Sequence, residues 1–169
     1  MNTVKSGIVA FAFGRPASIS SNRRIAEIAA KNAREFKAPI CTQLDIELSR
    51  EFDVHRAWES PDKPPPTLRL ARTAAYWATE RGITHLWIVA AKPHLWRCER
   101  DLKYAIREAE AKVEVDVLEE VFESTSDEWF CQDSSQKHTR SRKEWEKRER
   151  ILKITPLFLY NFLYDWIAS

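Results

Sequence analysis

The chain has 169 residues, of which 44% are hydrophobic and 31% are charged, and its formal net charge is +2. These values are typical of one globular domain with a real core, and they exclude a disordered chain. So small a net charge also argues against sequence-independent binding to nucleic acid, and no specific nucleic-acid partner is expected.

The first half of the chain alternates predicted strands and helices. Residues 7–13, GIVAFAF, are continuously apolar, which predicts a strand that is covered on both faces. A helix follows, with Ser21 or Asn22 as its cap and Phe36 near its end. Residues 38–46 predict a second strand.

A long connection and a second strand–helix unit come next. Residues 47–66 end in three prolines and are long for a connection in a compact domain, which favours a lid, a binding loop or a short extra helix. Thr67 can cap a helix that Gly82 ends. The most apolar strand candidate is residues 85–91, and Pro93 stands in the first turn of the helix that follows.

The last predicted strand, residues 113–117, alternates apolar and acidic side chains, which indicates a strand at the edge of the sheet. This element order predicts an α/β fold: a Rossmann-like, doubly wound, mostly parallel sheet of about four or five strands with helices on both faces. The simplest order of the four predicted strands is 2-1-3-4. We expect a single domain over residues 1–169, with a core of about residues 7–120.

A C-terminal helical extension of about residues 137–169 completes the predicted domain. Residues 113–128 carry seven acids, whereas residues 137–150 carry seven bases and three acids. Ser141 and Glu144 have the spacing of a capping box. The aromatic residues 156–168 favour packing against the sheet or another subunit. A peripheral membrane contact is the alternative, and no transmembrane segment is expected because about 20 consecutive apolar residues would be needed.

Several common sites are not indicated by this sequence. The chain has three glycines and lacks the GxGxxG and GxxxxGK[ST] phosphate-binding motifs. Cys41, Cys98 and Cys131 are widely spaced and match no metal-ligand pattern, so we predict reduced thiols, a cytoplasmic location and no metal.

Basic side chains follow two strands that the predicted order makes neighbours. The first strand ends at Gly14 and Arg15, and the third ends at Lys92 and His94. Ligands bind where strand order reverses in such sheets, and Arg97 lies one helical turn from His94. Since a helix start also attracts anions, we predict a positively charged notch that binds a small anionic or nucleotide-like molecule.

The residue types suggest a role for each group in the notch. His94 is the catalytic candidate, either as an acid–base group or as a hydrogen-bond donor, because an imidazole titrates near neutral pH. Arg97 would clamp an anion, with added charge from Lys92 and Arg15. Hydrolysis or transfer at a phosphate-like group suits this set best. Asp45 is expected to face solvent.

The segment of residues 83–105 resembles the most recognisable part of the YdcF/SanA/ElyC-like family of bacterial domains of unknown function. That part has a hydrophobic strand, a short turn, and then His-x-x-Arg at the start of a helix, which His94 and Arg97 match. The similarity extends over about residues 7–120. It implies a Rossmann-like fold, and S-adenosylmethionine as a possible ligand.

Other positions resemble the same family. Thr67 matches the start of the preceding family helix, and Arg24, or alternatively Arg23, matches an arginine of the first helix. The resemblance implies that Gly14, Arg24 and Thr67 bind the ligand. Many relatives are membrane-anchored, but no such anchor is expected here.

A second hypothesis is a non-enzymatic interaction protein. The acidic residues 113–128, the basic residues 137–150 and the aromatic end of the chain would then bind a partner or a second copy of the chain. Whether the protein is an enzyme stays open at this point.

Overall fold

A five-stranded parallel sheet organises the computed structural model, which describes residues 4–59 and 66–155 together with Leu159. The order across the sheet is β3-β2-β1-β4-β5, and every neighbouring pair is parallel. The strands are β1 (Ser6–Ala10), β2 (Ile40–Thr42), β3 (Val54–Arg56), β4 (His85–Val89) and β5 (Glu114–Val117). The predicted α/β fold is therefore confirmed.

Four helices accompany the sheet in the described part of the chain: α1 (Ser20–Phe36), α2 (Thr67–Arg81), α3 (Leu95–Glu108) and α4 (Arg142–Ile154). Crossovers between parallel strands are right-handed, so α1 covers one face of the sheet while α2 and α3 cover the other. In agreement, α2 and α3 pack extensively against each other. The strand order therefore reverses between β1 and β4.

The predicted order of four strands, 2-1-3-4, is confirmed, with one strand added at its edge. The prediction of an irregular segment or a short extra helix between residues 47 and 66 is wrong in part, because Val54–Arg56 forms β3. Its three half-buried residues pair with β2. A strand this short has no clear alternation, which explains why its pattern did not reveal it.

The segment after β5 folds back over the carboxyl ends of the strands. Trp129 and Trp145 belong to the same buried hydrophobic cluster as the sheet residues. Ser141 caps α4, accepting a hydrogen bond from the Glu144 backbone N–H at 3.4 Å, which is one of the two bonds of the predicted capping box. Residues 137–139, predicted to start this helix, instead form a separate short 3-10 turn.

The aromatic residues 156–168, for which packing or a membrane contact was predicted, lie outside the described residues apart from Leu159. No helix in the described ranges has the length and apolar character needed to cross a membrane. Cys41 and Cys98 are buried, Cys131 is half-buried, and all three are free thiols.

Candidate functional site

A cavity of about 50 Å³ lies at the carboxyl ends of β1 and β4. Residues 11–14, which follow β1, form one wall, while His94 and Arg97 form another. The turns at Gly14 and His94 therefore meet at one rim of the sheet, as the strand order predicts. The remaining lining residues are Gln43, Pro66, Thr67, Gln136, His138, Thr139, Trp145 and Arg148.

Two side chains in the first turn of α1 form hydrogen bonds to the turn that follows β1. The Asn22 side chain accepts a hydrogen bond from the Phe13 N–H at 2.9 Å and donates to the carbonyls of Gly14 and Pro16. Ser21 Oγ donates to the Phe13 carbonyl at 2.9 Å. The prediction that Ser21 or Asn22 caps the helix is therefore wrong, because both side chains are used to fix this turn.

Gly14 is required where this turn contacts the C-terminal segment. Its φ is +94°, a conformation that residues with a Cβ rarely adopt. A Cβ at this position would lie 2.6 Å from Ser134 Oγ and 2.7 Å from Thr139 Oγ1. The close approach of these two segments therefore depends on glycine.

His94 is buried, and its ring is oriented by two neighbours. Arg97 Nη2 lies 3.2 Å from His94 Nδ1, and Thr67 Oγ1 lies 3.4 Å from its Nε2. A guanidinium can only donate, so Nδ1 accepts and the ring hydrogen is on Nε2. Burial, together with the Arg97 charge, holds the His94 pKa well below its ordinary value. The ring is therefore a neutral N–H donor at neutral pH.

A second histidine–arginine pair lies across the cavity. Arg148 Nη1 donates to His138 Nε2 at 2.6 Å, so the neutral ring carries its hydrogen on Nδ1. Burial, with added repulsion from Arg148 and Arg97, lowers the His138 pKa to about 3. Both rings therefore accept from an arginine through one nitrogen and offer an N–H at the other.

Trp145 joins the two halves of the site. Its ring lies 5.2 Å from the His94 ring and 5.8 Å from the His138 ring, measured between centroids. The Arg97 guanidinium lies over the same indole at 5.2 Å. The indole Nε1 donates to the Pro93 carbonyl at 3.1 Å, which attaches α4 to the turn before α3.

Glu149, on α4, forms a buried ion pair with Arg97. Its Oε1 lies 3.0 Å from Arg97 Nη1, and the two residues are only 6% and 4% exposed. Burial raises the Glu149 pKa, although the Arg97 charge opposes that shift. Glu149 is behind Arg97 and does not line the cavity, whose described walls contain no carboxylate.

Three predicted ligand-binding side chains have other partners. Arg15 Nε donates to Asp45 at 3.2 Å, and Lys92 Nζ donates to the Ser124 carbonyl at 3.4 Å. The Arg24 guanidinium stacks over the Trp129 ring at 4.9 Å. These three residues do not belong to the cavity walls that the structure describes.

The expectation that Asp45 faces solvent is wrong. Its carboxylate is buried against Arg15, and burial raises its pKa while the guanidinium opposes that effect. The Asp45–Arg15 pair thus fixes an arginine that the sequence placed in the notch. Gly14, Thr67, His94 and Arg97 are the predicted site residues that do line the cavity.

The residues from the C-terminal segment were missed by the sequence interpretation. That interpretation offered residues 137–150 only as a surface for a partner or for self-association. A usable signal was the spacing of Trp145, Glu149 and Leu152, which puts all three on one buried face of α4. Arg148 is adjacent to that face, and His138 precedes the helix.

No known protein-family model matches the sequence, and no curated protein does so either. The resemblance to the YdcF/SanA/ElyC-like family therefore stays a prediction.

The cavity is chemically suited to oxygen acceptors. Its walls contain two arginines, two imidazole rings and the Thr67 hydroxyl, which accepts from the His94 Nε2–H at 3.4 Å and can still donate. Charge-assisted hydrogen bonds from such donors are about twice as strong as neutral ones. The hydroxyl of Thr139 donates to Ser134 Oγ at 2.7 Å, so it is already engaged in the fold.

Proposed function

We propose that the protein is a YdcF-like α/β domain that binds a small oxoanion, such as a phosphate or carboxylate group, at the carboxyl ends of β1 and β4. The observation that carries this proposal is the presence of two histidine–arginine pairs around one small cavity. Each arginine supplies charge and also makes its histidine a permanent donor.

An incompletely bonded donor supports the same proposal. Arg97 is buried, yet its Nε has no hydrogen-bond partner among the described residues. Buried N–H groups in folded proteins nearly always have a partner, in the protein or in bound solvent. A ligand oxygen or a water molecule that reached Nε would complete the hydrogen bonding of this guanidinium.

The size of the cavity limits the part of a ligand that it can bury. A volume of about 50 Å³ accepts an anionic group or a few water molecules, because one water needs about 10–15 Å³ by this measure. A nucleotide-like ligand would therefore insert only its terminal phosphate. S-adenosylmethionine, implied by the family resemblance alone, would insert its carboxylate.

Binding is better supported than catalysis. A general acid or base works best with a pKa near the operating pH, whereas burial and Arg97 hold the His94 pKa well below that range. A hydrolase or transferase would need a nucleophile from water or the second substrate. His94 therefore suits the role of hydrogen-bond donor, the second of the two roles that the sequence suggests for it.

A second candidate function is self-association or partner binding through α4. Ile151 and Ile154 are 59% and 81% exposed on this helix, which favours an apolar contact surface. It is the weaker candidate because the opposite face of α4 already packs inside the domain. Three free thiols favour a cytoplasmic location, and the family resemblance favours a bacterial protein.

Thermal unfolding with added anions tests the proposed function. We expect inorganic phosphate to raise Tm in a dose-dependent way, because a ligand that binds only the folded state stabilises it by mass action. Arg148→Gln should abolish most of the shift, while Arg150→Gln, at an exposed position of the same helix, should leave it unchanged. AMP and S-adenosylmethionine distinguish the ligand class. The absence of a shift with all of them would exclude the proposal.

A further inference from the structure

The Arg97 side chain lines the cavity and also pairs with Glu149. Nη1 of Arg97 pairs with Glu149, Nη2 donates to His94, and Nε has no partner among the described residues. Neither Glu149 oxygen makes a hydrogen bond within the same part of the chain. The guanidinium is therefore the main compensation for a buried carboxylate that is otherwise poorly solvated.

Other charges surround Glu149 in addition to Arg97. Helix α3 adds Arg100 and the Cys98 thiol. Helix α4 itself adds Arg148 and Lys153, and both Arg142 and Glu146 line the same 190 Å³ surface pocket as Glu149. The segments that face α4 in that pocket contribute only uncharged residues, namely Pro93, Ser126 and Phe130. Arg97 lies within ion-pair distance of the carboxylate, at 3.0 Å, and the effect of its charge is the largest of those that stabilise the ionised form.

We infer that Glu149 competes with the bound anion for Arg97, so that anion binding is coupled to proton uptake by the Glu149 carboxyl. This inference rests on the proposed function, because it needs an anion in the cavity. Glu149 is thus a positioning residue that sets the affinity and pH dependence of the site. It is not a group that touches the ligand.

The physical argument is electrostatic. An anion that bonds to Arg97 brings negative charge close to Glu149 and weakens the Arg97–Glu149 ion pair. Both changes favour the protonated carboxyl, whose formation burial already promotes. The proton comes from solvent and is held on a Glu149 oxygen. Anion affinity should therefore rise as pH falls.

Calorimetric titration of the full chain with sodium sulfate tests the coupling. Sulfate keeps its charge between about pH 5 and 8, so any proton taken up is bound by the protein. Titrations in two buffers of different ionisation enthalpy, at constant ionic strength, give the number of protons taken up. We expect net uptake in the wild type that disappears in Glu149→Gln and persists in Glu146→Gln, an exposed position on the same helix.

The affinity provides a second readout. Glu149→Gln removes a negative charge near the anion, and at an effective dielectric of about 20 this should tighten sulfate binding by at least about tenfold at pH 8. The variant should also lose the pH dependence of the wild type. If Glu149→Gln does not fold, infrared spectra of the wild type serve instead, and a protonated-carboxyl band should grow on addition of sulfate.

The possible failures are distinguishable. Sulfate binding without proton uptake and without growth of the carboxyl band, at equal affinity in both proteins, would overturn the role of Glu149 and leave the proposed function intact. If neither the wild type nor Glu149→Gln binds sulfate, the proposed function fails and the inference fails with it. Binding by Glu149→Gln alone would support the competition, because the carboxylate would then be what excludes the anion.

Discussion

The Nδ1 of His94 lies 3.2 Å from the Nη2 of Arg97, and this contact determines which hydrogen the imidazole offers to the cavity. A guanidinium cannot accept a hydrogen bond, so the ring must accept at Nδ1 and carry its hydrogen at Nε2. The same argument at His138 and Arg148 puts the hydrogen on Nδ1. Arginines thus convert two titratable side chains into donors of constant charge.

His94 and His138 are expected to adopt opposite tautomers. At pH 7 His94 should be the Nε2–H form and His138 the Nδ1–H form, because each accepts from an arginine at the other nitrogen. Long-range proton–nitrogen NMR correlations distinguish the two forms directly. Arg148→Gln should release His138 from its tautomer while leaving His94 unaffected. Identical tautomers for both rings in the wild type would contradict this assignment.

The stability of the protein should fall as the solution becomes acidic. The unfolded chain protonates its histidines below about pH 6.5, whereas folded His138, with a pKa of about 3, does not. The folded state thus binds fewer protons, and its stability is lost as pH falls from 6.5 towards 3. His138 alone should cost about 2 kcal/mol between pH 7 and pH 5.

Urea unfolding at the two pH values measures this loss for the wild type and for His138→Gln. The variant should lose about 2 kcal/mol less than the wild type on acidification. His55→Gln, on β3 and outside the cavity lining, serves as the control and should keep most of the wild-type loss. An equal loss in His138→Gln and the wild type would show that this ring does not titrate as described.

Gly14→Ala should destabilise the fold by about 2–4 kcal/mol. Positive φ and a Cβ that would contact Ser134 and Thr139 both contribute, through backbone strain and overpacking. Gly82→Ala is the matched control, since Gly82 also has positive φ but no atom within 4 Å of its added Cβ. It should cost only about 1 kcal/mol. Equal losses in chemical denaturation would contradict the close approach at Gly14.

Asn22→Ala should weaken anion binding as well as stability. Its amide makes three hydrogen bonds to the turn of residues 13–16, and leaving buried partners unpaired costs about 1–3 kcal/mol. Asn32→Ala removes another buried amide of α1, which bonds to Ile28 and Glu120 instead. Both variants should lower Tm. Only Asn22→Ala should reduce phosphate affinity, by several-fold in titration calorimetry, and equal affinities would show that the turn does not shape the cavity.

The pattern of apolar residues along the chain was sufficient to predict which strands border the site. The apolar run at residues 7–13 and the one at residues 85–91 predict neighbouring parallel strands, because alternation with helices constrains both strand direction and order. The meeting of Gly14 with His94 follows from that order alone. Arg97 was predicted from its position one helical turn after His94, whereas Thr67 was implied by the family resemblance alone.

The chemistry of the same site depended on contacts between residues that are distant in the chain. Arg15 pairs with Asp45, 30 positions away, and Trp145 bonds to Pro93 across 52 positions. Periodicity reports which face of an element is apolar, but it carries no information about which distant charge will oppose a given arginine. For this reason the helix that the sequence suggested as a partner surface supplies the second arginine. The contact with Arg97 likewise favours the donor role among the two roles that the sequence suggested for His94.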